Sequence, residues 1–504
     1  MTWDVICVGT GLTSLTFATL YQQRHPGRKA LLLEKHAIPG GYATEFQRPK
    51  TQSGFDCSLH KLSGMTGTGN MRRILDEMGI LSDLDLVYHD ELFEACSEDG
   101  DIKLPIKPEN FGSALKSAFP HEHVGIDRFL ADVDLYGRNA YFQFQILAGQ
   151  YEPDMKALRY AHKELRKKTV EEVISEYVSD PRLKEILCAP AVYVGGLPEQ
   201  LGYNYYLHIV FANLFQGTAY VTGSSQKLSD TLVDRIREGG GEVILRTPVA
   251  RVLSNDQNVA IGVETQQGER FYADQVIINA APHFALSQLF DGNAALDPVR
   301  DRVRHLKPSL ATTTQYLVTD CPPAELGLEC TEAMIFSRSH DECVDLRRQA
   351  AQDPGNTALQ ELAYWHASPM EITNYHSVDP ARGHVVILNV LDMISHWPER
   401  GTREYKEKKA RAMEVMTERL LARKPRIRDH IVYQEMSTPR TYERYTNNTD
   451  GAGYGALVGT DAMAHMFHYN FPIKGIHFMS SWTAGPGYEA AVGYAEFRAN
   501  SWKL

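Results

Sequence analysis

The sequence predicts an α/β protein. A Rossmann-like nucleotide-binding domain is assembled from three separated segments, and an α+β domain is inserted twice between them. Three observations predict it. The chain opens on a β-rich run, VICV, that meets the turn GTG and then a helical pattern. Between residues 218 and 283, a helix and several β-rich segments end in DQVIINAA, which reads as a strand returning to the first sheet. The C-terminal GIHFMSSWTAGPGYEAAVGYAEF repeats the order of strand, glycine-proline loop and helix. At 504 residues the chain is too long for one hydrophobic core.

The first segment carries the most specific pattern. In WDVICVGTGLTS, Gly9 permits a tight turn and Gly11 lets backbone approach a pyrophosphate. The helix that begins near Leu12 aims its first amides, around Leu12 and Thr13, and its positive dipole end at such an anion. Ser14 stands where the full G-x-G-x-x-G pattern has its third glycine. That position serves helix–strand packing, where a small side chain suffices. A second strand, KALLLEKH, ends in Glu34, followed by Lys35. The acid lies 23 residues beyond Gly11, about where one meets a ribose hydroxyl. Pro39-Gly40-Gly41-Tyr42 then forms a second glycine turn. GAGYGALVG at 451–459 has the glycines but follows TNNTD rather than a strand, so it reads as a loop.

Next, KLSDTLVDRIREGG is an amphipathic helix that stops at Gly239-Gly240-Gly241. EVILR, VARVLS, NVAIGVET, ERFYA and DQVIINAAP follow as strands separated by polar turns. The final helix carries small residues at Ala490, Ala491, Gly493 and Ala495, which suit close packing on backbone or on a flat ligand. The intervening stretches have longer helices and many aromatics. The domain boundaries expected are 1–84, 216–299 and 446–504 for the nucleotide domain, and 85–215 and 300–445 for the inserted one. The aromatic run YNYYLHIVFANLF reads as core, with the lining of a lipophilic tunnel as the alternative. KALRYAHKELRKK and REYKEKKARAMEVMTERLLARK read as solvated amphipathic helices, with peripheral contact to an anionic membrane as the alternative.

Composition excludes several classes. The net charge of −11 argues against nucleic acid as a partner. No window offers the roughly 20 apolar residues of a membrane span, and no secretory signal is evident, so a cytoplasmic protein is expected. Seven scattered cysteines without a CxxC suit a reducing compartment and give no metal signature. His465 and His468 lack a third ligand type, so no metal is expected.

Taken in order, these blocks resemble the FAD-dependent phytoene desaturase, carotenoid isomerase and retinol saturase group within the amine-oxidase-like flavoproteins. VGTGLTSL, LEK, PGGYATEF, GFDCSLHKLSG, YVTGSSQKLSDTL, LRTPVARVL, VIINAAP, STPRTYERYTNNTDGAGYG and the C-terminal block carry the resemblance over nearly the whole chain. It implies an amine-oxidase (GR2) type of FAD-binding fold, a non-covalent FAD, and an apolar isoprenoid or polyene substrate. The absence of a second glycine fingerprint favours FAD alone over FAD with a tightly held nicotinamide. By the resemblance, Gly9, Gly11, Glu34, Gly40 and Gly41 would contact the ADP half of FAD. Val249 would lie near the adenine with Ala280 nearby. Ser481, Trp482, Pro486, Gly487 and Tyr488 would line the ribityl chain and the ring.

Four positions depart from the family pattern. They are Ser14 for glycine, Tyr42 for an arginine, Ser480-Ser481 for Gly-Asp, and Gly223-Ser224 for Gly-Gly. Together they remove a charge-assisted phosphate contact and a carboxylate hydrogen bond, each about 1.5–3 kcal/mol. His60, Tyr488 and Glu489 are the candidate catalytic residues. The implied chemistry is desaturation, saturation or isomerisation of carbon–carbon bonds. Two alternatives stand beside it. One is an amine oxidase, for which a buried acid in a polar pocket would speak and a long apolar tunnel would not. The other is a non-catalytic lipid binder, because GTGLTS is also similar to the opening of Rab GDP-dissociation inhibitors.

Overall fold

A computed structural model describes residues 2–51, 53–58, 61–290, 292–460 and 471–502. A parallel five-stranded sheet runs in the order 242–244, 30–33, 5–8, 276–278, 476–478. Ile6 sits opposite Leu31 and Val276, and Val276 opposite Ile476. A parallel sheet needs cover on both faces, and period-2 alternation supplies it. Val5, Cys7, Leu32 and Ile277 pack in one core with residues of the helices Leu12–Arg24, Ser224–Glu238 and Tyr488–Asn500. Ile6, Leu31, Leu33 and Ile278 pack in another with Ala260 and Val263 of an antiparallel three-stranded sheet built by 249–254, 260–265 and 270–272. The expected strands of this region are all present, and DQVIINAA does return beside the first strand. GAGYGALVG contains no strand.

The second unit is a seven-stranded sheet in the order 431–437, 311–319, 385–392, 370–374, 332–335, 91–97, 100–105. Both inserted stretches therefore build one sheet, joined where 91–97 runs parallel to 332–335. Leu317, Val386 and Leu388 pack on one side with Met416 and Leu420 of the long basic helix Arg403–Arg423. A helical layer formed by residues between 108 and 214 completes the unit. Its most buried member, the helix Tyr203–Leu214, is the aromatic run of the sequence. Leu86–Tyr88 pairs with Thr218–Val221 in a small bridging sheet, so entry into the second unit falls at about residue 90 rather than 85. All seven cysteines are free thiols. Among the described residues no helix is long and apolar enough to cross a membrane.

Candidate functional site

The two glycine turns lie back to back. Gly9 has φ +97°, and a Cβ there would sit 2.7 Å from the Asn279 carbonyl oxygen. Gly11 is extended; its need is space, because a Cβ would stand 2.4 Å from Asn279 Oδ1. The amide of Gly40 donates to the carbonyl of Thr10 at 3.1 Å, and a Cβ on Gly41 would lie 3.2 Å from the Gly11 Cα. Helix Leu12–Arg24 starts at Gly11 with neither a side-chain cap nor an acidic first turn, so its leading amides face the cavity. Ser14 is fully buried, as its packing position requires.

Glu34 closes the second strand, buried, with three donors on its carboxylate. They are the Thr10 amide at 2.9 Å, the Thr10 hydroxyl at 2.6 Å and the His36 amide at 2.9 Å. Burial pulls the ammonium of the adjacent Lys35 below its ordinary value, against the pull of Glu34. Tyr42, at the family's arginine position, donates its hydroxyl to the Ala452 carbonyl at 2.9 Å, and burial pushes that hydroxyl up to about 12. Gly223 and Ser224 both hold positive φ, +85° and +81°, a conformation that strains the serine.

At the C-terminal block, the Ser480 hydroxyl accepts from the Trp482 amide and its own amide donates to Thr483 Oγ1 at 3.0 Å, closing a short helical turn. Ser481 faces the cavity, whereas Trp482 does not. One helical step turns the indole into the core, where Nε1 donates to Asn448 Oδ1 at 3.0 Å and the ring stands edge-on to His283. Trp482, expected beside the cofactor, is therefore not among the residues that line this cavity. Tyr488 and Glu489 both reach the cavity, with different partners. Tyr488 lines the cavity, with its hydroxyl 2.8 Å from Ser58 Oγ and 3.2 Å from the Tyr42 carbonyl. The Glu489 carboxylate accepts from Ser63 Oγ at 2.6 Å, from the Tyr141 hydroxyl, and from amides opening the helix Asn70–Glu77. Burial raises its pKa, against those hydrogen bonds. His60, His465 and His468 lie outside the described residues.

All the remaining sequence-derived candidates line one cavity of about 1060 Å³: Gly9, Gly11, Leu12, Thr13, Glu34, Lys35, Gly40, Gly41, Tyr42, Val249, Ala280, Ser481, Pro486, Gly487, Tyr488 and Glu489. The cavity continues into the second unit, between the helix Tyr203–Leu214, which contributes His208, Ile209, Ala212 and Asn213, and the seven-stranded sheet. The aromatic run is thus core along most of its surface and cavity wall along one edge. Sequence reasoning missed Asn279, whose amide donates to the Met479 carbonyl at 2.8 Å beneath the glycine turn. It also missed Lys61, Glu371 and Asn389 on the far wall. One signal was present: a lone asparagine inside the apolar strand VVILNVLD.

The comparisons follow this geometry. Residues 7–78 match the model of an NAD(P)-binding Rossmann-like domain. The all-trans-retinol 13,14-reductase of Danio rerio is 22% identical over 486 residues, covering 90% of this chain and 78% of the relative. The prolycopene isomerase 2 of an Oncidium hybrid cultivar is 23% identical over 487 residues, covering 90% and 75%. Over about nine tenths of its length the chain is thus similar to retinol-reducing and carotenoid-isomerising relatives, and over 63% of it to a 4,4'-diapophytoene desaturase of Methylomonas sp that is 23% identical. Among solved structures, an oxidoreductase from Methanosarcina mazei shares the fold at a TM-score of 0.62, with 14% identity, 97% of this chain and 98% of that one covered.

Proposed function

We propose that this chain is a member of the phytoene desaturase, carotenoid isomerase and retinol saturase family and an FAD-dependent oxidoreductase that desaturates, saturates or isomerises carbon–carbon bonds in an isoprenoid or polyene. One observation carries the reading: a single cavity joins a built nucleotide cradle to a walled chamber in the second unit. The cradle fits a dinucleotide, since Gly11 and Gly41 leave no room for a Cβ and the Leu12–Arg24 helix opens without a cap. The amides of Leu12 and Thr13 would hold the pyrophosphate, Glu34 a ribose hydroxyl, Val249 and Ala280 the adenine end, and Ser481 to Tyr488 the flavin end, without a covalent link. A bound flavin supplies hydride exchange at N5. The chain's own task is then to place a carbon beside that position and exclude water, which Ile209, Ala212, Met334, Ile387 and Leu391 do as apolar wall.

A peripheral membrane contact fits the same reading. The helix Met155–Lys163 exposes Met155 and Tyr160 among basic residues, a surface suited to peripheral contact with an anionic membrane that holds the polyene.

A second reading, oxidation of an amine at the carbon beside nitrogen, draws on one observation, the buried acid Glu371 in the chamber. The relatives, named for retinol reduction, carotenoid isomerisation and desaturation, do not favour it, nor do they favour a non-catalytic lipid carrier. The test is the visible spectrum of the purified protein before and after FAD is added and the excess removed. Retained flavin bands that bleach anaerobically with a polyene substrate are expected. A protein that takes up no flavin would end the proposal.

A further inference from the structure

One edge of the seven-stranded sheet carries a second constellation, away from the cavity. The strands Ala311–Thr319 and Ile431–Ser437 lie side by side, with Thr319 opposite Ile431. Three residues with metal-binding donors meet at that end: Asp320, Cys321 and His430. None of the three lines the cavity. The backbone sets their approach. The Asp320 amide donates to the His430 carbonyl at 3.1 Å, and the Thr319 hydroxyl donates to the Cys321 carbonyl at 2.7 Å. Sequence spacing conceals the group, because Cys321 and His430 stand 109 residues apart.

The contacts converge on one atom. His430 Nδ1 lies 2.7 Å from Asp320 Oδ1 and 3.7 Å from Cys321 Sγ. A relay that activates a thiol spends one ring nitrogen on the carboxylate and the other on the sulfur. Here carboxylate and sulfur share a nitrogen, so the three donors surround a point instead of forming a chain. All three donor atoms lie within 4.8 Å of one another. A tetrahedral zinc ion, with Zn–S about 2.3 Å and Zn–N about 2.0 Å, sets its ligand atoms about 3.3–3.5 Å apart. The sulfur–nitrogen separation is already close to that. The carboxylate has to withdraw by roughly half an ångström, and Asp320, half exposed, can do so by turning its side chain. A thiolate and a carboxylate balance a dication, and three protein ligands leave a fourth position for water. The other group of this composition, Glu94, Cys96 and Asp101, is closed, because the Lys424 ammonium donates to both of its carboxylates, at 3.0 and 3.3 Å.

We propose that Asp320, Cys321 and His430 form a zinc site that clips the loop after Thr319 to the start of the edge strand Ile431–Ser437. The ion binds as the Cys321 thiol releases its proton to solvent, with no change of oxidation state.

The test uses the purified protein, stripped with a chelator and kept reduced by a phosphine. Cobalt(II) is added as a spectroscopic stand-in, and zinc then competes it out. The wild type should develop a thiolate-to-cobalt charge-transfer band in the near ultraviolet that zinc removes. Cys321→Ser should abolish the band. Asp320→Asn and His430→Ala should each weaken zinc binding at least about tenfold, as loss of even an outer partner of a metal site does. Cys96→Ser should leave both band and affinity unchanged. A second measurement needs no variant: in the wild type, zinc should slow alkylation of Cys321 by iodoacetamide, read by peptide mass. A wild type without the band, a band that survives in Cys321→Ser, zinc affinity unchanged in Asp320→Asn and His430→Ala, or alkylation of Cys321 that zinc does not slow would overturn the inference.

Discussion

Gly11→Ala separates what the fold needs at the glycine turn from what a cofactor needs. Gly11 has φ −61° and ψ 160°, which alanine adopts without strain, so the whole effect is steric. The new Cβ would meet Asn279 Oδ1 at 2.4 Å, against the 3.4–4 Å of ordinary contact. The Asn279 side chain must swing away and give up its 2.8 Å hydrogen bond to the Met479 carbonyl. Losing that bond and leaving a buried carbonyl bare costs about 1.5–3 kcal/mol. Unfolding entropy near 2.1 cal/mol/K per residue over 504 residues is about 1 kcal/mol/K, so the thermal midpoint should fall by about 1.5–3 °C if the chain melts as a unit. In Gly11→Ala/Asn279→Ala the clash is gone, and the second change should add little further loss. Flavin uptake should remain impaired in the double variant, because the Cβ still occupies the approach to the Leu12 and Thr13 amides. Calorimetry and the flavin-to-protein absorbance ratio of the four proteins complete the cycle. Additive stability losses, or full flavin uptake by the double variant, would refute the reasoning.

Other consequences are equally checkable. Burial pushes the Glu185 carboxyl up to about 8, against the opposing pull of Cys343, Arg347 and Arg419. Its folded-state pKa therefore lies above the ordinary 4.5, and the stability tied to its proton is complete below pH 4.5 and lost as pH rises through 8. Glu185→Gln should gain on the wild type across that window by up to roughly 1.4 kcal/mol per pH unit, and parallel melting curves at pH 5.5 and 8.5 would contradict it. Arg382 bridges Asp56, Glu45 and Tyr220 while itself buried, so Arg382→Ala should cost about 3–5 kcal/mol and show as a lowered urea midpoint or lost soluble yield. Ser224, fully buried at φ +81°, should accept glycine with little change but lose about 2 kcal/mol or more as valine, read from the same melts.

What was legible in the sequence was local. The strand–turn–helix at 5–24, the Glu34 position and the strands from 242 to 278 each announce themselves within a dozen residues, because periodicity and glycine placement are short-range properties. What was not legible depends on distant partners. Nothing near Gly11 says that Asn279 fills the space beside it. Trp482 sits in a block whose neighbours line the cavity, and only the phase of a four-residue helical turn removes it. The polar residues Ser437, Thr314, Asn389 and Glu371 of the cavity wall come one from each of four strands. Thr314 is one threonine of ATTTQYLVT, and Glu371 begins no recognisable motif. Asn389 alone stands out, as an asparagine among Val, Ile and Leu.

The seven-stranded sheet explains how one unit serves both as core and as chamber. Along 311–319 and 385–392, Leu317, Val386 and Leu388 belong to the core that contains the Arg403–Arg423 helix, while Thr314, Tyr316, Ile387 and Asn389 face the cavity. Strand periodicity makes the two sets independent, because a residue on one face shares no packing with its sequence neighbours on the other. The helix-covered face holds its polar groups in closed pairs, with Gln315 donating to Thr417 at 2.8 Å and Thr313 to Asp392 at 2.6 Å, whereas the cavity face carries threonine, asparagine and glutamate along an open wall. The cavity face can therefore vary in chemistry while the sheet that shapes it stays fixed. The same division holds at the C-terminal helix. Tyr488 points into the cavity, and Glu489, one residue on, ties Ser63, Tyr141 and the helix Asn70–Glu77 together behind it. Adjacent positions in one motif thus do different work, the first toward whatever the cavity holds and the second toward the frame that keeps the first in place.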